Sequence, residues 1–243
     1  MRLALVLPSV NTVVEPWLPR ALPATASLHI ARMLLPDALT SDNIVEMDRI
    51  DGQRAVKQLK SCRPDALLYG CVASSVLQGL RYDRALLREM AALSGVPCET
   101  AAGASISALQ ALGAVRILIV SPYDEKVDAF EHRFFEDAGF EIVDSASFGI
   151  SNSFELAAVS EQSLIDRVGH MPQADAIFLS CMNMRSHAVV DTIEAVTGMP
   201  VVTATTASAW ALLRLAGDEK DPGFIGRLGG LGMPASAASL LRR

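Results

Sequence analysis

Three blocks of this chain occur twice in the same order, and that internal repeat limits the possible folds more than any other feature. RLALVLPS, from Arg2, is echoed by RILIVSPY, from Arg116, which matches Pro8 to Pro122. PDALLYGC, ending at Cys71, is echoed by QADAIFLSC, ending at Cys181. SGVPCETAAGASISALQALG, from Ser94 to Gly113, is echoed by TGMPVVTATTASAWALLRLAG, from Thr197 to Gly217. Each half alternates β-branched apolar runs with segments of helical period, the pattern of βαβ units in a parallel sheet. The spacing predicts strands near 3–7, 28–33, 66–70 and 96–98, then near 116–120, 140–146, 175–180 and 199–202. Helices fill the gaps; Val127, Phe130, Phe134 and Ala138, for example, form an apolar stripe.

Ligands of open α/β sheets collect beyond the carboxyl ends of the strands. The repeated positions fall there. Asn11 follows the first strand, Cys71 ends the third, Tyr123 follows the opening strand of the second half, and Cys181 ends the strand that matches the one before Cys71. Related by a pseudo-twofold axis, the two cysteines approach one cleft from opposite sides. Each is expected to precede a helix start, where backbone N–H groups around Ala73 to Ser75 and Asn183 to Arg185 lower a thiol pKa and attract a carboxylate. A thiolate and a thiol on opposite faces of one carbon can move a proton across it. They can also add to a double bond while the partner handles the proton.

A single cysteine at a strand end is usually a small core residue; the matched pair is what favours function here. Cys62 and Cys98 have no cysteine partner in the repeat and read as structural. The net charge is −6, with Lys and Arg scattered, so the basic footprint of a nucleic-acid binder is missing. The opening apolar run is too short for a membrane span, and a cytoplasmic protein without membrane association is expected. No HExxH, GxGxxG or Walker pattern occurs, so neither metal nor cofactor is expected. Asn11 and Thr12 read equally as caps of a helix over Val13 to Leu18, and Tyr123 as a packing residue. Gly70 reads as a close backbone approach or a turn, Arg185 as a carboxylate partner or a solvated side chain. The glycine- and proline-rich tail after Gly217 reads as a loop, or as an arm exchanged between subunits; a homo-oligomer is expected.

With Pro8-Ser9-Val10-Asn11-Thr12, Gly70-Cys71, Ser121-Pro122-Tyr123 and Ser180-Cys181-Met182-Asn183-Met184-Arg185-Ser186 in register, the chain resembles the aspartate/glutamate racemase superfamily. Within it the match is to the maleate cis-trans isomerase and arylmalonate decarboxylase branch. The resemblance implies two pseudo-symmetric flavodoxin-like α/β domains, each a four-stranded parallel sheet flanked by helices, with the active site between them. It also implies a second domain, 99–204, inserted in a first made of 1–98 and 205–243. The implied reaction is isomerisation of maleate or a related unsaturated acid, with Cys71 as nucleophile and Cys181 as acid/base. Asn11, Tyr123 and, by loop position, Asn152 would hold the carboxylates of a small carboxylic-acid substrate.

Both cysteines are present, whereas arylmalonate decarboxylase keeps only the second. Val72, Met182 and Asn183 complete the cysteine loops. Maleate isomerases usually carry a hydroxyl residue straight after each cysteine, so Val72 and Met182 imply a less polar substrate, with Ser74, Ser75 and Ser186 as substitute donors. Three other readings remain: a two-cysteine racemase or epimerase acting beside a carboxylate, an arylmalonate-decarboxylase-like enzyme, or a non-enzymatic carboxylic-acid binder.

Overall fold

The computed structural model describes residues 1–36, 39–220, 222–223 and 226–234. The first half contains β1 (Arg2–Pro8), α1 (Val14–Ala21), β2 (Ser27–Met33), α2 (Ser41–Met47), α3 (Gln53–Lys60), β3 (Ala66–Tyr69), α4 (Val72–Val76), α5 (Leu80–Ser94), β4 (Cys98–Thr100) and α6 (Ala101–Ala111). The second contains β5 (Arg116–Tyr123), α7 (Glu125–Asp137), β6 (Glu141–Ile150), α8 (Glu161–Val168), β7 (Ala176–Leu179), α9 (Val190–Thr197), β8 (Val201–Thr203) and α10 (Ala204–Leu215). The sheets have orders β2-β1-β3-β4 and β6-β5-β7-β8, so the second repeats the first. All six strand pairings are parallel.

The sheets exist because the central strands are apolar on both faces. Leu3 to Leu7, Ala66 to Tyr69, Ile117 to Val120 and Ala176 to Leu179 are all buried, as strands covered by helices on both sides must be. The eight strands fall where the sequence places them, but β5 and β6 run on to Tyr123 and Ile150, so Tyr123 ends its strand rather than following it, and β4 and β8 are shifted. Each of these last two was expected to include the proline of its Val-Pro or Met-Pro step and instead starts just after it. Proline has no N–H to give a ladder. Its carbonyl still serves: the Leu67 amide donates to Pro97 O (3.0 Å) and the Ile177 amide to Pro200 O (2.9 Å).

One helix faces differently from its predicted stripe. On α7 the buried residues are Val127, Glu131, Phe134 and Phe135, while Phe130 is exposed. A carboxylate therefore occupies the core-facing turn, where its Oε1 accepts the Ser180 hydroxyl. Helix α10 packs on α6 and on β3 and β4 of the opposite sheet. Thr203 caps it with a reciprocal Thr203–Thr206 capping box. The described part of the tail is a folded loop. Buried Arg214 donates to the carbonyls of Asp218, Lys220, Gly229 and Leu231, and Trp210 Nε1 also donates to Leu231 O. An exchanged arm, insofar as it needs 235–243, lies outside the described residues. Among those residues no helix is long and apolar enough to cross a membrane.

Candidate active site

At the carboxyl ends of both sheets lies a cavity of about 50 Å³, the place that parallel α/β topology reserves for ligands. Cys71 and Cys181 both line it and are both buried. Around them stand Asn11, Val72, Tyr123, Met182 and Asn183, each singled out from sequence. Asn152 is not among them. It is exposed, and its Oδ1 accepts the Phe154 amide in a local turn (3.0 Å). The next residue, Ser153, turns inward instead, with its hydroxyl buried and unpartnered. The wall is completed by Leu35, Leu39 and Leu156, which loop positions without periodicity did not reveal.

The two thiols are presented differently. Cys71 is the N-cap residue of α4 in extended conformation. Gly70 before it is a close approach: a Cβ there would stand 2.7 Å from Val6 O. Its amide donates to that same carbonyl at 2.8 Å, as the Ser180 amide does to Val120 O at 2.9 Å in the second half. Cys181 does not precede an α-helix, contrary to expectation. It adopts φ +73°, one of two non-glycine residues described with positive φ, and a turn follows before a 3-10 segment, Arg185–Val189. Left-handed backbone costs a non-glycine residue about 1 kcal/mol or more and clusters at functional sites. Here it brings the Asn183 amide onto the Cys181 sulfur at 3.3 Å.

Neither thiol is pushed toward neutral pKa, as helix-start placement had suggested. Burial raises Cys71 to about 12, and the nearby Asp48 carboxylate adds to the rise. Burial also raises Cys181, to about 11, against the opposing pull of the Asn183 amide and the Tyr123 hydroxyl. Each donor favours the thiolate. The charge of Cys181 also acts on Cys71, so the thiols are electrostatic neighbours.

Asn11 is both cap and wall. Its Oδ1 accepts from Val13 N (3.1 Å) and Val14 N (3.0 Å). Asn183 ties the halves together: Oδ1 accepts Thr12 N at 3.0 Å, while Nδ2 donates to Val10 O and Ser153 O. The serines expected as substitute donors are committed elsewhere: Ser74 to Asp48, Ser75 to Asp83 and Ser186 to Met184 O. Arg185 is exposed and outside the cavity wall.

Two similar α/β halves that each deliver a buried cysteine to one cavity define an enzyme of the isomerase and racemase-like type. The model of the family described as arylmalonate decarboxylase matches residues 41–229, and the chain belongs to that family. It is 28% identical over 229 residues to the maleate isomerase of Geobacillus stearothermophilus, covering 88% of this chain and 90% of the relative. The maleate isomerase Iso of Pseudomonas putida S16, solved as a cysteine-to-alanine variant with maleate, superposes with TM-score 0.89 at 27% identity, covering 95% of this chain and 98% of that one. A Nocardia farcinica maleate cis-trans isomerase, solved as a cysteine-to-serine mutant with a covalently bound succinylcysteine intermediate, gives TM-score 0.87 at 25% identity, covering 93% and 97%.

Proposed function

We propose that this protein is a cofactor-independent cis-trans isomerase of maleate or a closely related small unsaturated carboxylic acid. The observation that carries the reading is the pair of buried cysteines lining one small cavity from opposite halves. The covalent intermediate of the Nocardia relative supports thiolate addition as the chemistry.

In this reading Cys181, helped by the Asn183 amide and the Tyr123 hydroxyl, is the better thiolate and takes the Cys71 proton as Cys71 attacks. The Cys71 sulfur forms a C–S bond to one alkene carbon, and the π pair moves to the other carbon and its carboxylate. Rotation about the resulting single bond follows. Collapse of the pair re-forms C=C and expels the Cys71 thiolate, which recovers its proton from Cys181. Burial keeps water from the charged intermediate. Asn11, Tyr123 and the Ser153 hydroxyl, which has no protein partner, are positioned to hold the acid.

The test is proton NMR of the purified protein with maleate in deuterated water and no added cofactor. Appearance of fumarate, abolished in Cys71→Ala, supports the reading. Exchange of an α-hydrogen of an amino or hydroxy acid for deuterium, without isomerisation of maleate, replaces it with racemisation.

A further inference from the structure

Behind Cys71, outside the cavity, lies a buried carboxylate that the reaction above does not use. Asp48 is 2% exposed and opens a π-helical turn, Asp48–Gly52. Such turns are rare and concentrate at functional sites. Its Oδ1 accepts the Tyr69 hydroxyl and the Ser74 hydroxyl, each at 2.7 Å, and its Oδ2 the Tyr82 hydroxyl at 3.0 Å. Gly52 makes room for this cluster, because a Cβ there would lie 2.1 Å from Tyr69 Oη. Tyr69 precedes Cys71 by two residues and Ser74 follows it by three, so one carboxylate grips the chain on both sides of the thiol.

We propose that Asp48 is a positioning residue that acts through Ser74 to keep the resting proton on Cys71, leaving Cys181 as the thiol that ionises first. The Ser74 hydroxyl and amide both face the Cys71 sulfur and favour its ionised form. The hydroxyl hydrogen, however, is committed to Asp48. Around Asp48 the groups are Tyr69 from β3, Ser74 from α4, and Tyr82 and Glu89 from α5. On its own turn Arg49 is exposed and Asp51 pairs with Arg54. Among the described residues no lysine or arginine forms an ion pair with it. Burial lifts Asp48 to about 6, so at neutral pH it is charged and opposes a thiolate at Cys71.

The second half lacks such a charge. Glu131, which accepts the hydroxyl of Ser180 beside Cys181, is lifted by burial to about 8 and is mostly protonated at the same pH. At that pH the Asn183 amide, 3.3 Å from the Cys181 sulfur, and the Tyr123 hydroxyl oppose burial alone, with no added anion. The consequence for turnover rests on Cys71 being the nucleophile, which Cys71→Ala tests separately.

The experiment is iodoacetamide alkylation of the peptide containing Cys71, followed by mass spectrometry from about pH 5 to about pH 9, on the whole protein. In wild type the alkylation rate, divided by hydroxide concentration, should fall across pH about 6 as Asp48 ionises, giving a shoulder. Asp48→Asn should abolish the shoulder and raise the rate above it about tenfold, since a like charge is removed and the Ser74 hydroxyl no longer donates to an anion. Tyr82→Phe keeps the charge but removes one donor, so its shoulder should move to higher pH while the rate beyond it stays within about twofold.

A wild-type profile with no break near pH 6, or equal effects of Asp48→Asn and Tyr82→Phe, overturns the proposal. Should Asp48→Asn not fold, the wild-type shoulder and its movement in Tyr82→Phe decide the matter. Loss of turnover in Cys71→Ala alongside an unbroken profile would leave the isomerase reading standing and remove the role of Asp48.

Discussion

Gly70→Ala is a small substitution whose effect follows from one contact. Replacing glycine by alanine at an unstrained site usually stabilises by about 0.4–1 kcal/mol, because the unfolded chain loses freedom. Gly70 is not among the glycines with positive φ, so backbone conformation alone would predict that gain. The added Cβ, however, would lie 2.7 Å from Val6 O, 2.9 Å from Leu7 Cδ2 and 3.1 Å from Leu5 Cδ1. The leucine ends can shift. The Val6 carbonyl belongs to a central strand and already accepts the Gly70 amide, so it cannot.

Overpacking of this kind costs about 1–3 kcal/mol, so the net effect is a loss of about 1–2 kcal/mol. For a chain of this size that lowers Tm by about 2–8 °C. Because the neighbouring Cys71 is displaced with the strand end, turnover should fall about 10- to 100-fold, the usual result of misplacing a reacting group by up to about 1 Å. Thermal unfolding by circular dichroism and maleate kinetics on the same preparation read both effects. A raised Tm with full activity would refute the argument, for it would mean that β1 yields where the packing says it cannot.

Tyr123→Phe removes a donor that favours the Cys181 thiolate, so the acid limb of the pH–rate profile should move up by about 1–2 units, with about 10- to 100-fold less activity at neutral pH; an unmoved limb contradicts the assignment. Arg214→Ala leaves the carbonyls of Asp218, Lys220 and Gly229 without their donor, while Leu231 O keeps Trp210 Nε1, and should cost about 2 kcal/mol or more, read by urea unfolding, whereas an unchanged midpoint would show that the tail is not held by this side chain. Stability should fall as pH rises from about 4 to about 8. Burial raises Asp48 to about 6 and Glu99 and Glu131 to about 8, so over that interval the fold keeps protons that the unfolded chain releases. Glu131→Gln should flatten the dependence, measured as Tm against pH.

The repeat made both sheets legible because parallel strands covered on both faces must be continuously apolar, and two such sets separated by helical segments leave little choice. The cysteines were legible as a pair because symmetry relates them. The rest of the site depends on turns. Ser153 faces the cavity and Asn152 does not because Asn152 Oδ1 closes a local turn on Phe154, an alternation that no period announces. Leu35, Leu39 and Leu156 read as ordinary loop leucines. Asp48 lies in SDNIVEMDRIDG, where a carboxylate looks like part of a solvated helix face; only the hydroxyls of Tyr69, Ser74 and Tyr82, brought from three other elements, reveal its burial. Likewise the stripe through Phe130 missed Glu131, which is buried in its place because Ser180 supplies a partner for the acid.

The measurement that bears most directly on the two-thiol mechanism is intact-mass and peptide mapping of the Cys181→Ser variant after incubation with maleate. Without Cys181 the addition runs only through the small thiolate fraction of Cys71; solvent then protonates the carbanion, and with no Cys181 base to reverse that step the mechanism predicts that an adduct of one substrate accumulates slowly on Cys71, with no such adduct in Cys71→Ala. An adduct on another residue, or isomerisation that persists without Cys71, would contradict it.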